Sequence, residues 1–560
     1  MLNLIKKVKE NLGLSVLILI LLSVVHPQER SRTPNRIYNI GDWITYRNCN
    51  YVTSVCESPE YVFFGTSGGI LPFHKFRKSF EEPITRSDGL ADDFISCLYY
   101  DKSTGYLWAC HEAGVSYRNP SDRRWNNIST QELSLSRLER LVRIGGDNHY
   151  IWAQLRSGGF LKLDKLTGMW AGKEEVSGDG VKWGVVSYEH LYSFGSFTME
   201  GNYQCFSDGT VVDPMLRKFY VSVLYINPSG NVFGGLSGGG LLLGDENVKL
   251  LRVHEFGPLD NNVSTFAFLD GNVYMGGNSN ISNLASNRKG ISCFNTTENT
   301  WQYFESEFTL EIRNGIINKI SVNPDFMAVG TSQGVALYNF KKGFWQLRNV
   351  DRFLPSNNVT SIALNDTLLF AGTDYGLLVF SIPEFIPVHK TSILPVYTRV
   401  NDMVFSGDTL WVATNNGLYA IEDYGEKIHH FDMYLTKIDP AEPVAFSVNA
   451  IEVGDHGIIF SKRNSLCQYD FRNGKLLELS DIAEIKNKYI FDIKSNGNYI
   501  CVGTNDGAFL IRINDGYYEH LTMADGLGGI AVYEVDFYKD YLWFATDGGL
   551  TKFRWRKYYE

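Results

Sequence analysis

YLWFATDGGLTKF, residues 541–553, decides the fold, because YVFFGTSGGILPF at 61–73 says nearly the same thing at the other end of a 560-residue chain. Between them the phrase returns as YLWACHEAGV at 106, YIWAQLRSGGF at 150, NVFGGLSGGGL at 231, NVYMGGNSNI at 272 and FMAVGTSQGV at 326. It continues as LLFAGTDYGL at 368, TLWVATNNGL at 409 and YICVGTNDGA at 499, with two poorer copies, HLYSFGSF at 190 and GIIFSKRNSL at 457. The residue equivalent to Gly65 then recurs at 110, 154, 194, 235, 276, 330, 372, 413, 461, 503 and 545, most steps falling between 40 and 48 residues.

A period near 42 that runs the length of a chain marks a repeat architecture, and four-stranded propeller blades have about this length. Each unit opens with a V-x-x-I strand, as in Val359 to Ile362 and Val532 to Val535. The repeated phrase supplies a second strand, apolar on both faces because neighbouring units cover both. A glycine turn, a third strand and a fourth often marked by an aromatic (Trp125, Trp301, Trp345) complete the unit. The expected fold is all-β: twelve four-stranded blades arranged as two β-propellers, 36–300 and 301–560, with six blades each as the favoured partition. A seven-plus-five split, or one ring inserted in the other, stays open. The last unit stops barely past its third strand, whereas Asp42 to Tyr46 resembles an isolated fourth strand, so the N-terminal strand is expected to close the last blade.

Composition agrees: aromatic residues are 14% and glycines number 53, as expected of many short strands joined by tight turns. Lys6, Lys7 and Lys9 precede an apolar run from Leu12 to Val25, too short for an ordinary membrane span, so 1–30 is expected to be a signal peptide or short N-terminal anchor. No second run approaches membrane length, and an exported, periplasmic or extracellular protein is expected. Beyond residue 30 the chain carries a net charge of −12, which argues against nucleic acid as a partner. Its eight cysteines form no metal-ligand spacing. Cys97 and Cys110 fall on one expected hairpin, where they are either a disulfide or buried small hydrophobes.

ITRSDGL at 84–90 before a V-x-x-I strand, LPSNNVTSI at 354–362 and the YLWxxTxxGL stretches together resemble the two-component regulator propeller repeat, over about residues 40–560. The resemblance implies a sensor-type propeller of Bacteroidota-like bacteria in a stand-alone form without a kinase. A glycan or protein ligand, and a separate membrane sensor or a type IX-like secretion component as partner, follow from it as expectations.

No HExxH, P-loop or EF-hand spacing is present, and LDKLTGMW at 163–170, the one string similar to a quinoprotein docking turn, occurs once. The expectation is therefore a non-enzymatic binding protein, sensor-like or scaffold, without a metal or cofactor beyond a possible structural Ca²⁺. A carbohydrate-acting propeller lyase or hydrolase is the alternative. In a repeat the consensus specifies the fold, and departures from it are where function is expected. On the face bearing the second-to-third-strand loops, unit two departs at His111 and Glu112, unit three at Arg156 and unit ten at Lys462 and Arg463. Asp88, Asp92 and Asp93 share that face, as do the long loops at 278–290 and 433–446.

Overall fold

The computed structural model describes residues 38–559 apart from 123, 137, 186–190, 278–287, 314, 351–353, 390, 423–426, 431–445, 456, 463–464 and 480–483. The expected leader at 1–30 lies outside the described residues. The chain is all-β, and the described strands form eleven sheets, antiparallel but for one short pair (198–199 with 250–251), of the kind found in propeller blades. In chain order of their first strands they are sheet 1 (52–80), sheet 2 (95–129), sheet 3 (141–174), sheet 4 (218–254) and sheet 5 (263–305). Sheet 6 (317–348), sheet 7 (359–387), sheet 8 (400–430), sheet 9 (451–478), sheet 10 (490–521) and sheet 11 (532–553) follow.

Two side-chain devices explain why the phrase repeats. The first is the turn: Thr66, Thr331, Thr373, Thr414, Thr504 and Thr546 each donate Oγ1–H to the glycine carbonyl three residues on, at 2.8–2.9 Å. Each also accepts the N–H two residues on, at 3.0–3.1 Å. A buried hydroxyl satisfied on both sides fixes the hairpin. The glycine that follows is dictated by space: Gly549 has φ +132, and a Cβ there would stand 2.5 Å from the Tyr46 carbonyl.

The second device joins sheets. In sheets 5–11 the first strand is an edge whose inward N–H and C=O groups have no strand partner, a condition that burial makes costly. The third residue of V-x-x-I supplies an acceptor to the next sheet: Thr265 Oγ1 takes the Ile320 N–H (3.1 Å), Asp402 Oδ2 that of Ile451 (3.1 Å) and Asp492 Oδ2 that of Val535 (2.9 Å). The second residue supplies a donor: Ser264, Asn318, Thr360 and Asn401 reach the carbonyls of Ile317, Val359, Val400 and Val448. Glu534 Oε2 in sheet 11 accepts the Phe266 N–H of sheet 5 at 2.9 Å, so the series of seven sheets from 5 to 11 closes on itself.

Sheet 11 takes its outer strand from the other end of the chain. Trp43–Tyr46 pairs antiparallel with Leu550 to Phe553, as expected for the closing strand. Trp43 is 1% exposed and stacks on Phe553 at 4.1 Å. From Trp43–Tyr46 in sheet 11 the chain leaves through 47–51 to build sheets 1–4, and returns through 255–262 to sheet 5. The expected boundary at 300/301 instead cuts the strand Thr300–Glu305 of sheet 5. A shared core of Tyr46, Val55, Phe64, Phe233, Phe266, Phe294 and Trp543 joins the two groups, and Arg217 before sheet 4 pairs with Glu305 at 2.5 Å.

Twelve units are expected and eleven sheets are described. The unit centred on residue 194 is a 3-10 helix, Leu191–Ser196, whose Phe194 packs with Val211, Leu224 and Leu236 against sheet 4. Its sequence, SFGSF, lacks the threonine and second glycine that make the turn. Short strands at 198–199, 204–205 and 210–212 extend sheet 4 to seven strands instead. Residues 182–185 cross the centre of the first group: Lys182 and Trp183 pair with Gly146 and Gly145 of sheet 3, Gly184 lies under the Leu98 carbonyl of sheet 2, and Val185 bridges to Val55 of sheet 1.

The centre of the seven-sheet series is a charged bore. Lys319 and Lys494 pair with Glu534 (2.6 Å) and Glu452 (3.2 Å), and Asp402, Asp492 and Asp536 stand around them. Burial pushes the Asp492 carboxyl up to about 7 despite Lys494 and Lys319, with Glu534 and Asp402 adding to the rise. Burial likewise raises Glu452 and Asp536.

Two outcomes are expected. Trp43→Ala removes a fully packed ring from the closing strand and should cost about 3–5 kcal/mol in urea unfolding; a loss below about 1 kcal/mol would contradict the closure. For Asp492 the folded pKa is the raised one, so its ionisation costs stability, a cost that grows as pH rises from the unfolded value near 4 (approximately) to about 7. Asp492→Asn keeps an acceptor for Val535 and should therefore melt higher relative to wild type at pH 8 than at pH 5. An equal difference at both pH values would contradict the burial of an ionisable Asp492.

Candidate functional site

One local sequence occurs on both sides of the junction between the two groups. Thr85-Arg-Ser-Asp-Gly-Leu90 leads into sheet 2 and Thr522-Met-Ala-Asp-Gly-Leu527 into sheet 11. In each the threonine N–H donates to the aspartate (Thr85 to Asp88, 3.0 Å; Thr522 to Asp525, 2.8 Å), and the threonine hydroxyl accepts the N–H two residues on. This reciprocal cap holds a tight loop that buries Leu90 and Leu527 beneath it. The two loops wall one cleft of about 620 Å³, with Arg86 to Gly89 on one side and Thr522 to Gly526 on the other. Trp125, Asn127, Arg124, Glu484, Glu519 and His520 also line it, with Tyr38 to Ile40 and Tyr518. A second cavity of about 290 Å³ shares Arg86 and Met523 with it and adds Arg47, Asp92, Asp93 and Asp547.

The cleft is polar and mixed in charge. Burial pushes the Asp88 carboxyl up to about 7, against the Thr85 N–H that favours its ionised form. Asp93 is likewise raised by burial, although Arg47 lies 3.1 Å away and the Arg86 N–H donates to it at 2.8 Å. His520 stacks on Phe509 at 4.3 Å, with Nε2 at 2.7 Å from the Asp506 carbonyl and Nδ1 at 3.7 Å from Glu484. The Trp125 indole N–H is buried at the wall without a hydrogen-bond partner.

Of the residues singled out from the sequence, Asp88 lines the cleft and Asp92 and Asp93 line the adjoining cavity. His111 is 4% exposed, with Nε2 at 2.7 Å from Ser116 Oγ and its pKa lowered to about 4 by burial. It belongs to the interior of sheet 2, whereas Arg156 in sheet 3's turn is exposed. Glu112 pairs with Arg140 at 2.9 Å. Lys462 lies over the Phe446 ring, and Arg463 lies outside the described residues, as do 278–287 and 431–445. Cys97 and Cys110 are cross-strand partners in register, but both are free thiols. Trp108, Val115 and Ile144 pack around them as around any small apolar group. Among the described residues, no three His, Cys, Asp or Glu side chains gather to hold a metal ion.

Three strings, Gly65 to Gly69, Gly235 to Gly239 and Gly330 to Gly334, match G-x-S-x-G by letter. Each lies at a strand–turn–strand junction rather than on the strand–helix turn that exposes a nucleophilic serine. The string at 163–170 is likewise a turn, built on Asp164 accepting the Leu166 and Thr167 N–H groups. His520, Glu519 and Asn127 were not singled out in the sequence, and Trp125 only as a strand marker; the second T-x-x-D-G-L copy at 522–527 is the signal that leads to His520 and Glu519.

No protein-family model matches the chain, and no curated protein matches it. Solved structures do. PorZ, described as an essential bacterial surface component of the type-IX secretion system of human oral-microbiomic Porphyromonas gingivalis, aligns with a TM-score of 0.58 at 15% identity, over 92% of this chain and 87% of that one. The extracellular domain of a protein described as a hybrid two-component system from B. thetaiotaomicron aligns at 11% identity and a TM-score of 0.43, over 90% and 70%. At these identities the first likeness shows the fold, an all-β chain of propeller-like sheets. No helix among the described residues is long and apolar enough to cross a membrane.

Proposed function

We propose that this chain is an exported, non-enzymatic binding protein, sensor-like or scaffold, which holds a glycan or protein ligand in the cleft between the two T-x-x-D-G-L loops. In this reading sheets 5–11 are a seven-bladed propeller, and sheets 1–4 form a smaller one inserted between the last blade's outer strand and the rest of its ring. The observation that carries the function is the pairing of the loops: the same capped turn, once from each group, walls one 620 Å³ cleft. A site built at a junction of two rigid bodies is where ligand clefts are commonly found. Its chemistry suits a polar ligand. Arg86 and Arg124 offer donors, Glu484, Glu519 and Asp525 acceptors, and the unpartnered Trp125 N–H a buried donor that a ligand oxygen would satisfy.

The likeness to a surface component of the type-IX secretion system supports a place in a cell-surface assembly, in which a separate membrane sensor or secretion component would be the partner. The test is a thermal-shift screen of the full chain against cell-surface oligosaccharides, with and without Ca²⁺, together with capture of surface proteins. Both use wild type and Arg124→Glu, a substitution at an exposed cleft residue. The reading expects a ligand that raises the melting temperature by about 2 °C or more at saturation, with the gain lost in Arg124→Glu. If every ligand or captured protein binds both forms equally, the cleft is not the site.

A further inference from the structure

The bore of sheets 5–11 takes no part in the cleft, and its charges do not balance. Two of its five carboxylates are matched: Glu534 with Lys319 and Glu452 with Lys494. Asp402, Asp492 and Asp536 have no salt-bridge partner among the described residues. Asp402 accepts the Met403 and Ile451 N–H groups and Asp492 that of Val535, while Lys494 and Lys319 act on Asp492 and Asp536 only from beyond salt-bridge distance. The site is also wet: the Lys319 and Lys494 side chains keep 22% and 28% of their surface exposed.

A second feature points the same way. Ser361 holds the register position of Lys319, Asp402, Asp492 and Glu534 in sheet 7, the third residue of V-x-x-I. By the pattern above its hydroxyl would accept the N–H of Met403, yet Asp402 takes that N–H, and Ser361 Oγ is left buried, 1% exposed, without a partner. An acceptor oxygen with nothing to accept thus stands in the same ring as the unmatched carboxylates. At the second position of V-x-x-I in sheets 10 and 11, Phe491 and Tyr533 lie 5.2 Å apart, and Tyr489, just before sheet 10, lies 4.9 Å from Phe491. Aromatic faces on the strands that carry the acids suit a cation.

We propose that the bore of the seven-sheet ring is a binding site for a cationic organic group, an ammonium or guanidinium, held by Asp402, Asp492, Asp536 and Ser361. The group enters past Tyr489, Phe491 and Tyr533. Binding takes the place of a proton, because the carboxyl of Asp492 holds one up to about 7. The groups facing Asp492 are Lys494 on its own strand, Cys501 on the strand paired with it, and Lys319, Asp402 and Glu534 on the first strands of sheets 6, 8 and 11. With both lysines already paired to Glu534 and Glu452, the added positive charge meets a net negative wall.

Isothermal titration of the full chain with agmatine and with acetyl-Gly-Arg-Gly-amide tests this, at pH 7.5 and pH 5.5. Two variants are compared: Asp536→Asn, which disturbs no hydrogen bond between sheets, and Ser361→Lys, which places a cation in the ring. Saturable binding of at least one probe is expected, weaker by about fivefold or more at pH 5.5 and in Asp536→Asn, and abolished in Ser361→Lys. Asp536→Asn must retain the wild-type circular dichroism, so that its loss of binding is not loss of fold. Binding of agmatine as tightly as the peptide identifies a free amine as the natural source, and binding of the peptide alone identifies a side chain of a protein. Absence of saturable heat with both probes, or binding that neither pH nor Asp536→Asn changes, overturns the proposal.

Discussion

The pairing of Trp43–Tyr46 with Leu550 to Phe553 is the contact on which the rest depends. It joins residues more than 500 positions apart, and it gives sheet 11 the fourth strand that the C-terminal end does not provide. A ring of sheets has no intrinsic end: each sheet buries its two faces on its neighbours, so one missing strand would expose the flanks of two. Residues 42–46 and 550–557 meet at that point, with Lys557 reaching Asp42 at 2.8 Å and Thr45 Oγ1 2.9 Å from Thr551 Oγ1. Because the closing strand is followed directly by sheets 1–4, the same contact also anchors the first group against the second.

Closure of the interior uses different chemistry. First strands cannot pair with one another as sheet neighbours do, so side chains at two fixed positions take over their orphan backbone groups, at about 1 kcal/mol net for each bond. Where the third position is Asp or Glu, the acceptor brings a charge into the bore, and Lys319 and Lys494 offset part of it. The raised carboxyls of Asp492, Glu452 and Asp536 are the electrostatic consequence of stitching a ring with acids. In the first group the centre is filled by backbone instead, the 182–185 segment lying across three first strands.

Much of this was legible in the sequence because the Thr-x-x-Gly turn and the V-x-x-I strand are each set by local chemistry that leaves few alternatives. The closing strand was legible for the same reason: Asp42 to Tyr46 is a strand with no sheet of its own. The unit at 194 was misleading because Phe194-Gly195 imitates the end of a second strand while lacking the threonine that makes the turn. His111 stood out as a departure from a consensus, but departure does not reveal depth, and Ser116 and burial draw it inward. The bore was not legible at all. Its charges stand one or two to a strand, in strands about 40 residues apart, and only folding stacks them. The cleft was half legible, since Thr85 to Leu90 drew attention and its twin at 522–527 did not.

The central claim is that the two ends of the chain form one sheet. Thr45 and Thr551 are direct cross-strand partners in that sheet. Replacing both by cysteine, oxidising the folded protein and mapping its tryptic peptides by mass spectrometry tests the claim most directly. The account predicts a disulfide joining the peptide that contains residue 45 to the peptide that contains residue 551. Recovery of the two peptides unlinked from oxidised, folded protein would contradict it.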